Sequence, residues 1–505
     1  MICRIPSWTA GDAGFVVGLL LWYTGTTKGR VISSVRVLLV NPGARLPIDT
    51  RTSPSMGLAY LAAVSERRGD EVRIHDGCVE DAKLEEVVQE FAPQVVGITA
   101  NTTQITAAWR DAERVKSLSL APVVLGGPHP TVLPDESAAK PFVDLVVRGE
   151  GEATWLEILS ILDGSPLEES WEALASVAGI TYRTAGGEVA SNPDRLPISV
   201  AELDDMPFPA WHLFRLECYT NLQPTVDQVH GPSLPILTSR GCPYRCSYCS
   251  QIGPRRWRGR SAESVLNEWR WLVREMGAAE IGVLDDSFNI DRHRVLGVCQ
   301  GLIDEGLTHV PWIMINGIRA NLADEETLGA MKRAGCLRTA FGVESGNQAI
   351  LDQVVDKHLT LDQVRSAFKA ARTVGLETIG FFIIGLPGET AETMDDTIRF
   401  ACELDPVVAN FSIATPFPGT AMYDTVVSQG RLLAQDWDDF VFFEGKARFE
   451  MPGLPADLVE RKWKEAYRRF YLRPKRIAWT LMRKETWLRL PRTVRMAWRT
   501  VVGSA

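Results

Sequence analysis

The stretch Ser239-Arg240-Gly241-Cys242-Pro243-Tyr244-Arg245-Cys246-Ser247-Tyr248-Cys249-Ser250 places three of the chain's nine cysteines within eight residues. Thiolate sulfur selects soft centres: zinc, copper(I) or iron-sulfur clusters. A structural zinc site takes a fourth ligand, normally from a second Cys or His pair at comparable spacing. His293 and Cys299, the nearest downstream candidates, form no such pair. Three protein thiolates on a four-iron cluster would leave one iron open to a substrate or cosubstrate. The alternative, three thiols in a packed turn, fits poorly, because Gly-Cys-Pro and the interleaved aromatics shape a loop rather than a core.

Working outward, 505 residues exceed one ordinary core, so two or three domains are expected. A hydrophobic share of 45% and a charged share of 23% place the chain among soluble globular proteins. A formal net charge of −9 excludes a general nucleic-acid binder, which would be basic. The odd cysteine count, with the remainder scattered singly, is no disulfide framework and fits a reducing cytoplasm. The apolar run Phe15 to Tyr23 is far short of the roughly 20 residues that span a bilayer. Residues 1–34 therefore read as a leader, either disordered or lying upstream of a true start near Val31 or Val35.

Upstream of the cysteines, from Val35, short apolar runs alternate with amphipathic stretches. Val35 to Val40, Val72 to Ile74, Val95 to Ile98, Val123 to Leu125 and Leu145 to Val147 read as strands. Met56 to Arg68, Lys83 to Phe91, Thr103 to Ser117 and Thr131 to Ala139 read as the helices between them. This predicts an α/β, doubly wound, Rossmann-like parallel sheet over 35–200, completed by a small hairpin at Ile180 to Tyr182 and Gly186 to Val189. Such sheets bind ligands across the carboxyl ends of their strands. The loops there are rich in turn residues: Asn41-Pro42-Gly43, Thr99 to Thr102, Gly126-Gly127-Pro128-His129-Pro130 and Arg148-Gly149-Glu150-Gly151-Glu152. None carries the Gly-x-Gly-x-x-Gly fingerprint or a Gly-Lys-Ser/Thr phosphate loop, so a nicotinamide cofactor or a bound nucleotide is not indicated. Residues 201–230 read as a linker, extended at Asp204 to Trp211 because Pro207 and Pro209 oppose helix.

Downstream, Ile236 to Thr238, Ile281 to Leu284, Pro311 to Ile315, Leu337 to Val343, Thr378 to Ile384 and Ala409 to Ala414 give six strands alternating with helices. They end in polar or turn residues: Asp285-Asp286, Asn316-Gly317, Glu344-Ser345 and Gly385-Leu386-Pro387-Gly388-Glu389. In barrels, strand-end polar residues read as a site.

The spacing Cys242-x-x-x-Cys246-x-x-Cys249, with Tyr248 before the last cysteine, resembles the signature of the radical S-adenosylmethionine (SAM) superfamily. Together with the upstream sheet, it resembles the branch that carries a cobalamin-binding domain. That resemblance implies a partial (β/α)6 barrel over 231–430 and a [4Fe-4S] cluster on Cys242, Cys246 and Cys249. The open iron would take the amino and carboxylate groups of SAM, which is cleaved to a 5'-deoxyadenosyl radical. It further implies SAM contacts from Tyr248 near the adenine, Asp285 and Asp286 near the amino group, Glu344 and Ser345 at the ribose, and backbone near Leu386 at the adenine. In the family's Gly-x-Ile-x-Gly-x-x-Glu pattern, Gly388 stands at the Glu position, so Glu389 is given no role. Cobalamin contacts are expected from Asn41, Thr99, Gly126, Gly127, His129, Gly149 and Glu150. The loop after Val40 lacks the Asp-x-His-x-x-Gly of cobalamin mutases, so cobalamin would bind without a histidine ligand, and His129 is either a turn residue or a direct contact.

The activity implied is methylation of an unactivated carbon or phosphorus centre, one SAM methylating the cobalamin and a second supplying the radical. Rivals are a cyclisation, oxidation or rearrangement with the same cofactors and, more remotely, a non-catalytic cobalamin-binding protein. The implied partners are a small-molecule or carrier-bound substrate and an electron donor such as flavodoxin or ferredoxin. Over 431–505 the chain is expected to be helical. From Ala456, Trp463, Tyr467, Phe470 and Tyr471 recur at helical spacing beside Arg461, Lys462, Lys464, Arg468, Arg469 and Arg473. This reads as a helix docked on the barrel with a solvated basic face; contact with an acidic carrier or a membrane surface is the alternative.

Overall fold

The computed structural model describes residues 34–43, 53–80, 82–184, 186–219, 231–250, 253, 255–441 and 444–482. Almost all of the expected leader, the end of the linker at 220–230 and residues 483–505 lie outside them.

The N-terminal sheet is built from β1 (Arg36–Asn41), β2 (Glu71–Asp76), β3 (Val95–Thr99), β4 (Val123–Gly126), β5 (Leu145–Val147), β6 (Ile180–Arg183) and β7 (Val189–Ser191). Their order is β2-β1-β3-β4-β5-β6-β7. The first five strands are parallel, while the predicted hairpin is β6–β7, added antiparallel at the edge. A 2-1-3-4-5 order puts the ligand crevice where the winding reverses, between β1 and β3. Both faces are covered, which explains why β1 reads as an unbroken apolar run. Val37 and Leu39 enter one core with helix Met56–Arg68, while Leu38 and Val40 enter the other with Ile105, Ala108 and Val115. Helix Met56–Arg68 ends at Gly69 with φ 103°, the left-handed conformation that stops a helix. The single helix expected over Thr131 to Ala139 is instead two short turns, Pro128–Val132 and Pro134–Ala138, because Pro134 disfavours helical backbone at Leu133.

The linker is more structured than its prolines suggest. Val200–Asp205 is a helix, with Ser199 and Glu202 forming a reciprocal capping box. Trp211 is completely buried, and Ala210 N donates to Ala59 O at 3.1 Å. The linker is thus packed onto the N-terminal domain.

The second sheet comprises β8 (Ser233–Ile236), β11 (Glu280–Val283), β12 (Trp312–Met314), β13 (Cys336–Glu344), β14 (Glu377–Ile384) and β15 (Val408–Ile413), all parallel. A two-residue ribbon, β9 (Ser239–Arg240) paired with β10 (Arg258–Gly259), brackets the cysteine loop. The order β15-β14-β13-β12-β11-β8 leaves the sheet open between β15 and β8. An exposed parallel edge is a template for mispairing. Helix Ala456–Tyr471 covers the β15 edge with its aromatic face. Phe411 N donates to Tyr467 Oη at 3.4 Å, Trp463 Nε1 donates to Phe411 O at 2.8 Å, and Tyr471 Oη bonds Ala409. Much of its basic face is engaged as well: Lys462 and Arg469 pair with Asp395, and Arg473 with Asp405. Phe470 is completely buried against Phe411. Phe470→Ala is therefore expected to cost about 3–5 kcal/mol, read as a lowered urea midpoint, with self-association through the uncovered edge visible by light scattering. Among the described residues no helix is long and apolar enough to cross a membrane.

Candidate active site

The cysteine loop leaves β9 and crosses the carboxyl ends of the second sheet. Its backbone is tied down at several points. Ser247 N donates to Val355 O at 3.0 Å, Ser247 Oγ to Val354 O at 2.5 Å, and Met422 N to Ser247 O at 2.9 Å. Arg319, itself buried, lies over the Tyr244 ring at 3.5 Å and donates to Lys357 O and His358 O. Cys242, Cys246 and Cys249 are all partly buried and free of disulfides. Burial pushes the Cys242 and Cys246 thiols up, while Lys357 and Arg319 oppose that at Cys246. The thiols stand within electrostatic reach of one another, yet among the described residues no His, Cys, Asp or Glu trio forms a single-ion site. Iron-sulfur clusters are held by cysteine thiolates, so a donor set of three cysteines on one tied-down loop fits a cluster.

The strand ends around the loop divide into residues that face it and residues that build it. Glu344, at the end of β13, has φ 65°, and Ser345 N closes the bend onto Val343 O at 2.9 Å. A residue that carries a Cβ is strained in this region and stays there only because its surroundings hold it. Its carboxylate pairs with Lys357 Nζ at 2.6 Å and is hydrogen-bonded by Tyr248. A Cβ on Gly342 would run into both Glu344 and Lys357, so only glycine leaves room for the pair. Asp286 stands exposed at the mouth and accepts from Gly241 N at 3.2 Å. Tyr248 packs with Ile350, Val355, Ile383 and Leu386 as an apolar wall.

Three residues expected at SAM are engaged within the protein itself. Asp285 is completely buried and accepts from Thr238 N, Thr238 Oγ1 and Ser239 Oγ at 2.5–2.6 Å, so it clamps β8 to β11. Ser345 is buried and bonds Thr397 Oγ1 and Asn347 N. The Leu386 amide is taken by Glu389 Oε2 at 2.9 Å, and Leu386 O accepts from Glu389 N. Glu389, given no role from the sequence, is thus the residue that holds the turn; Oε2 also accepts from Gly385 N at 2.7 Å.

Burial pushes the Glu389 carboxyl up to about 8, against the pull of those two amides. A carboxyl raised by folding binds its proton more tightly in the native state. Its contribution to stability is complete below the ordinary carboxylate range and is lost as pH rises toward 8. The parent protein is therefore expected to lose melting temperature between about pH 5 and about pH 8, and Glu389→Gln should flatten that fall.

The N-terminal strand ends face the barrel. Asn41 bonds Asp76 and Gln104, and Thr99 and Gly126 are partly accessible. Gly127, at φ 99°, lies so close to Ala100 and Thr99 that a Cβ would meet their oxygens at 2.8 Å. Just beyond, Val132 packs against Gly419 of the loop after β15, so the two strand-end surfaces adjoin. His129 is a buried turn residue and not an outward contact: its nitrogens reach Thr102 Oγ1 and Glu136 Oε2, and its ring meets Trp437 edge-on at 4.8 Å. Gly149 N donates to Thr131 Oγ1 at 3.0 Å. Glu150, expected at the cobalamin, has its carboxylate clamped by both terminal nitrogens of Arg258. A rim of small and amide residues, with His129 turned inward, fits a corrinoid gripped at its periphery and offered no imidazole.

Arg240, Arg258, Arg319, Lys357 and Trp437 escaped the sequence reading. No local pattern marks a buried arginine or lysine whose partner lies far along the chain. Glu389 did carry a signal, one residue out of step in Gly385 to Glu389.

Residues 51–159 match the B12 binding domain family, and residues 236–401 match the radical SAM superfamily. An uncharacterized methyltransferase of Pyrococcus horikoshii is 35% identical over 87% of this chain and 93% of its own length. The cytidylyl-2-hydroxyethylphosphonate methyltransferase of Streptomyces wedmorensis is 30% identical over 78% of this chain and 82% of its own. Among solved structures, the radical SAM methyltransferase TsrM from Kitasatospora setae, with cobalamin and [4Fe-4S] cluster bound, shares the fold with TM-score 0.62 and 22% identity over 77% of each chain.

Proposed function

Because the chain belongs to the radical SAM family that carries an N-terminal B12-binding domain, we propose that it methylates an unactivated carbon or phosphorus centre of a small-molecule biosynthetic intermediate. The observation that carries this reading is the adjoining of the two strand-end surfaces, cysteine loop on one side and glycine-rich rim on the other, in a chain whose relatives include methyltransferases 35% and 30% identical to it. When bound, the cluster and cobalamin supply the electron that cleaves SAM and the methyl group that is transferred.

The chain's own residues then have separate tasks. Cys242, Cys246 and Cys249 would hold the cluster, and the Lys357 and Arg319 charges favour the Cys246 thiolate against its burial. Asp286 is placed to accept from an ammonium group at the mouth, and Glu344 from ribose hydroxyls once its bond with Tyr248 opens. Tyr248, Ile383 and Leu386 offer an apolar wall to a flat base and exclude water. Asn41, Thr99, Gly126 and Gly127 would grip the corrinoid edge. The electron would come from a donor of the flavodoxin or ferredoxin class.

The test is anaerobic reconstitution with the candidate substrate and quantification of both coproducts. Equal amounts of S-adenosylhomocysteine and 5'-deoxyadenosine per product are expected. Deoxyadenosine alone with the true substrate would replace methylation by cyclisation, oxidation or rearrangement.

A further inference from the structure

The loop Arg148–Glu152, at the exit of β5, joins the two halves of the site without touching a thiol. Arg258 gives Glu150 two parallel bonds, at 2.9 and 2.6 Å, and a third bond to Ile198 O; Ile198 N donates back to Glu150 at 2.9 Å. Arg240 Nη2 donates to Glu152 at 2.7 Å while its guanidinium lies 5.2 Å over the Tyr60 ring. The two arginines are backbone partners in the β9–β10 ribbon, and Arg240 stands two residues before Cys242. On its other side the loop is tied to the glycine-rich rim, since Gly149 N donates to Thr131 Oγ1 and Thr131 Oγ1 donates to Gly127 O at 2.8 Å. One chain of bonds therefore runs from Gly127 to the start of the cysteine loop.

The four charged side chains are only 5–15% exposed. Burial raises the Glu152 carboxyl and the Arg240 charge outweighs it, so the pair stays ionised. Glu152 Oε2 and Arg258 Nε have no partner among the described residues. Buried ion pairs contribute little net stability over apolar packing, and their best-attested use is to fix register.

We propose, resting on the functional reading above, that Glu150–Arg258 and Glu152–Arg240 form a register device between the domains. They hold the cysteine loop and the Gly126–Thr131 rim at one separation, so that a substrate radical formed at one meets the methyl donor held by the other. Glu150, Glu152, Arg240 and Arg258 are positioning residues that act through the ribbon and the rim.

Cob(II)alamin and the reduced cluster each carry an unpaired spin, so pulsed electron paramagnetic resonance of the reconstituted, reduced holoenzyme reads their separation. The parent protein should give one narrow distance. Glu150→Gln and Arg258→Met should each broaden or shift it at unchanged iron and cobalamin content, and the double variant should be no worse than either single one. With substrate, S-adenosylhomocysteine formed per deoxyadenosine should fall by about 10- to 100-fold while SAM cleavage persists. Should these variants lose a cofactor, Arg258→Lys carries the same expectation, because it keeps the charge but cannot clamp a carboxylate with two parallel N–H groups. An unchanged narrow distance and coproduct ratio in the variants would overturn the proposal. A parent protein that bound no cobalamin or formed no deoxyadenosine would overturn the functional reading, and the proposal with it.

Discussion

A Cys246→Ala protein is expected to lose SAM cleavage altogether while keeping its fold. Cys246 is the central member of the loop, with Lys357 and Arg319 acting on its thiol. Removing it leaves two thiolates, too few to secure a cluster that draws three ligands from the chain. The half-buried thiol is a small part of the packing, so the unfolding free energy of the metal-free protein should change by less than about 1 kcal/mol. Iron content, the cluster's visible absorption and deoxyadenosine formation after anaerobic reconstitution are the measurements. Retention of a full, SAM-cleaving cluster would remove the basis for assigning this loop as the radical source.

The fold was legible because its signals are local and repeated. Each expected strand of the two sheets is present within a few residues, since buried parallel strands flanked by glycine and proline turns leave an unmistakable apolar rhythm. The linker was misread for a different reason. Pro207 and Pro209 forbid helix only from Met206 onward, and the Ser199 to Glu202 capping box just before them announced the helix that forms there.

At the site, residue types were legible but the direction of their side chains was not. Asp285 and Asp286 are neighbours on one strand end, and successive residues of an extended strand point to opposite sides. One is buried in the barrel wall and the other stands at the mouth, and nothing in an Asp-Asp pair tells which is which. Glu150 and Glu152 sit in a glycine-rich loop at a strand end, where a ligand contact is the natural expectation. Their arginine partners are 108 and 88 residues away, a pairing that only the fold reveals. Trp437 is the extreme case, reaching back 301 residues to hydrogen-bond Glu136 beside His129.

The contrast between the two aspartates gives the second large expected effect. In Asp285→Ala, Thr238 N, Thr238 Oγ1 and Ser239 Oγ all lose their acceptor inside the barrel wall. A stranded buried donor costs about 1–3 kcal/mol, and three at one point should cost at least about 3 kcal/mol even after one hydroxyl turns elsewhere. Arg294, whose guanidinium lies against Thr238 O and within the field of Asp285, would lose part of its compensating charge as well. Because Ser239 begins the ribbon that leads into Cys242, the same change should loosen the cysteine loop and lower cluster occupancy. Asp286→Ala removes one bond to Gly241 N at an exposed position, so its stability should change by only about 0.5 kcal/mol. If Asp286 binds SAM at the mouth, that variant should instead raise the SAM concentration needed for half-maximal deoxyadenosine formation. Urea unfolding of both metal-free variants, followed by SAM titration of both reconstituted ones, separates the roles. A stable Asp285→Ala protein with weakened SAM binding would restore Asp285 as a ligand and show the clamp to be dispensable.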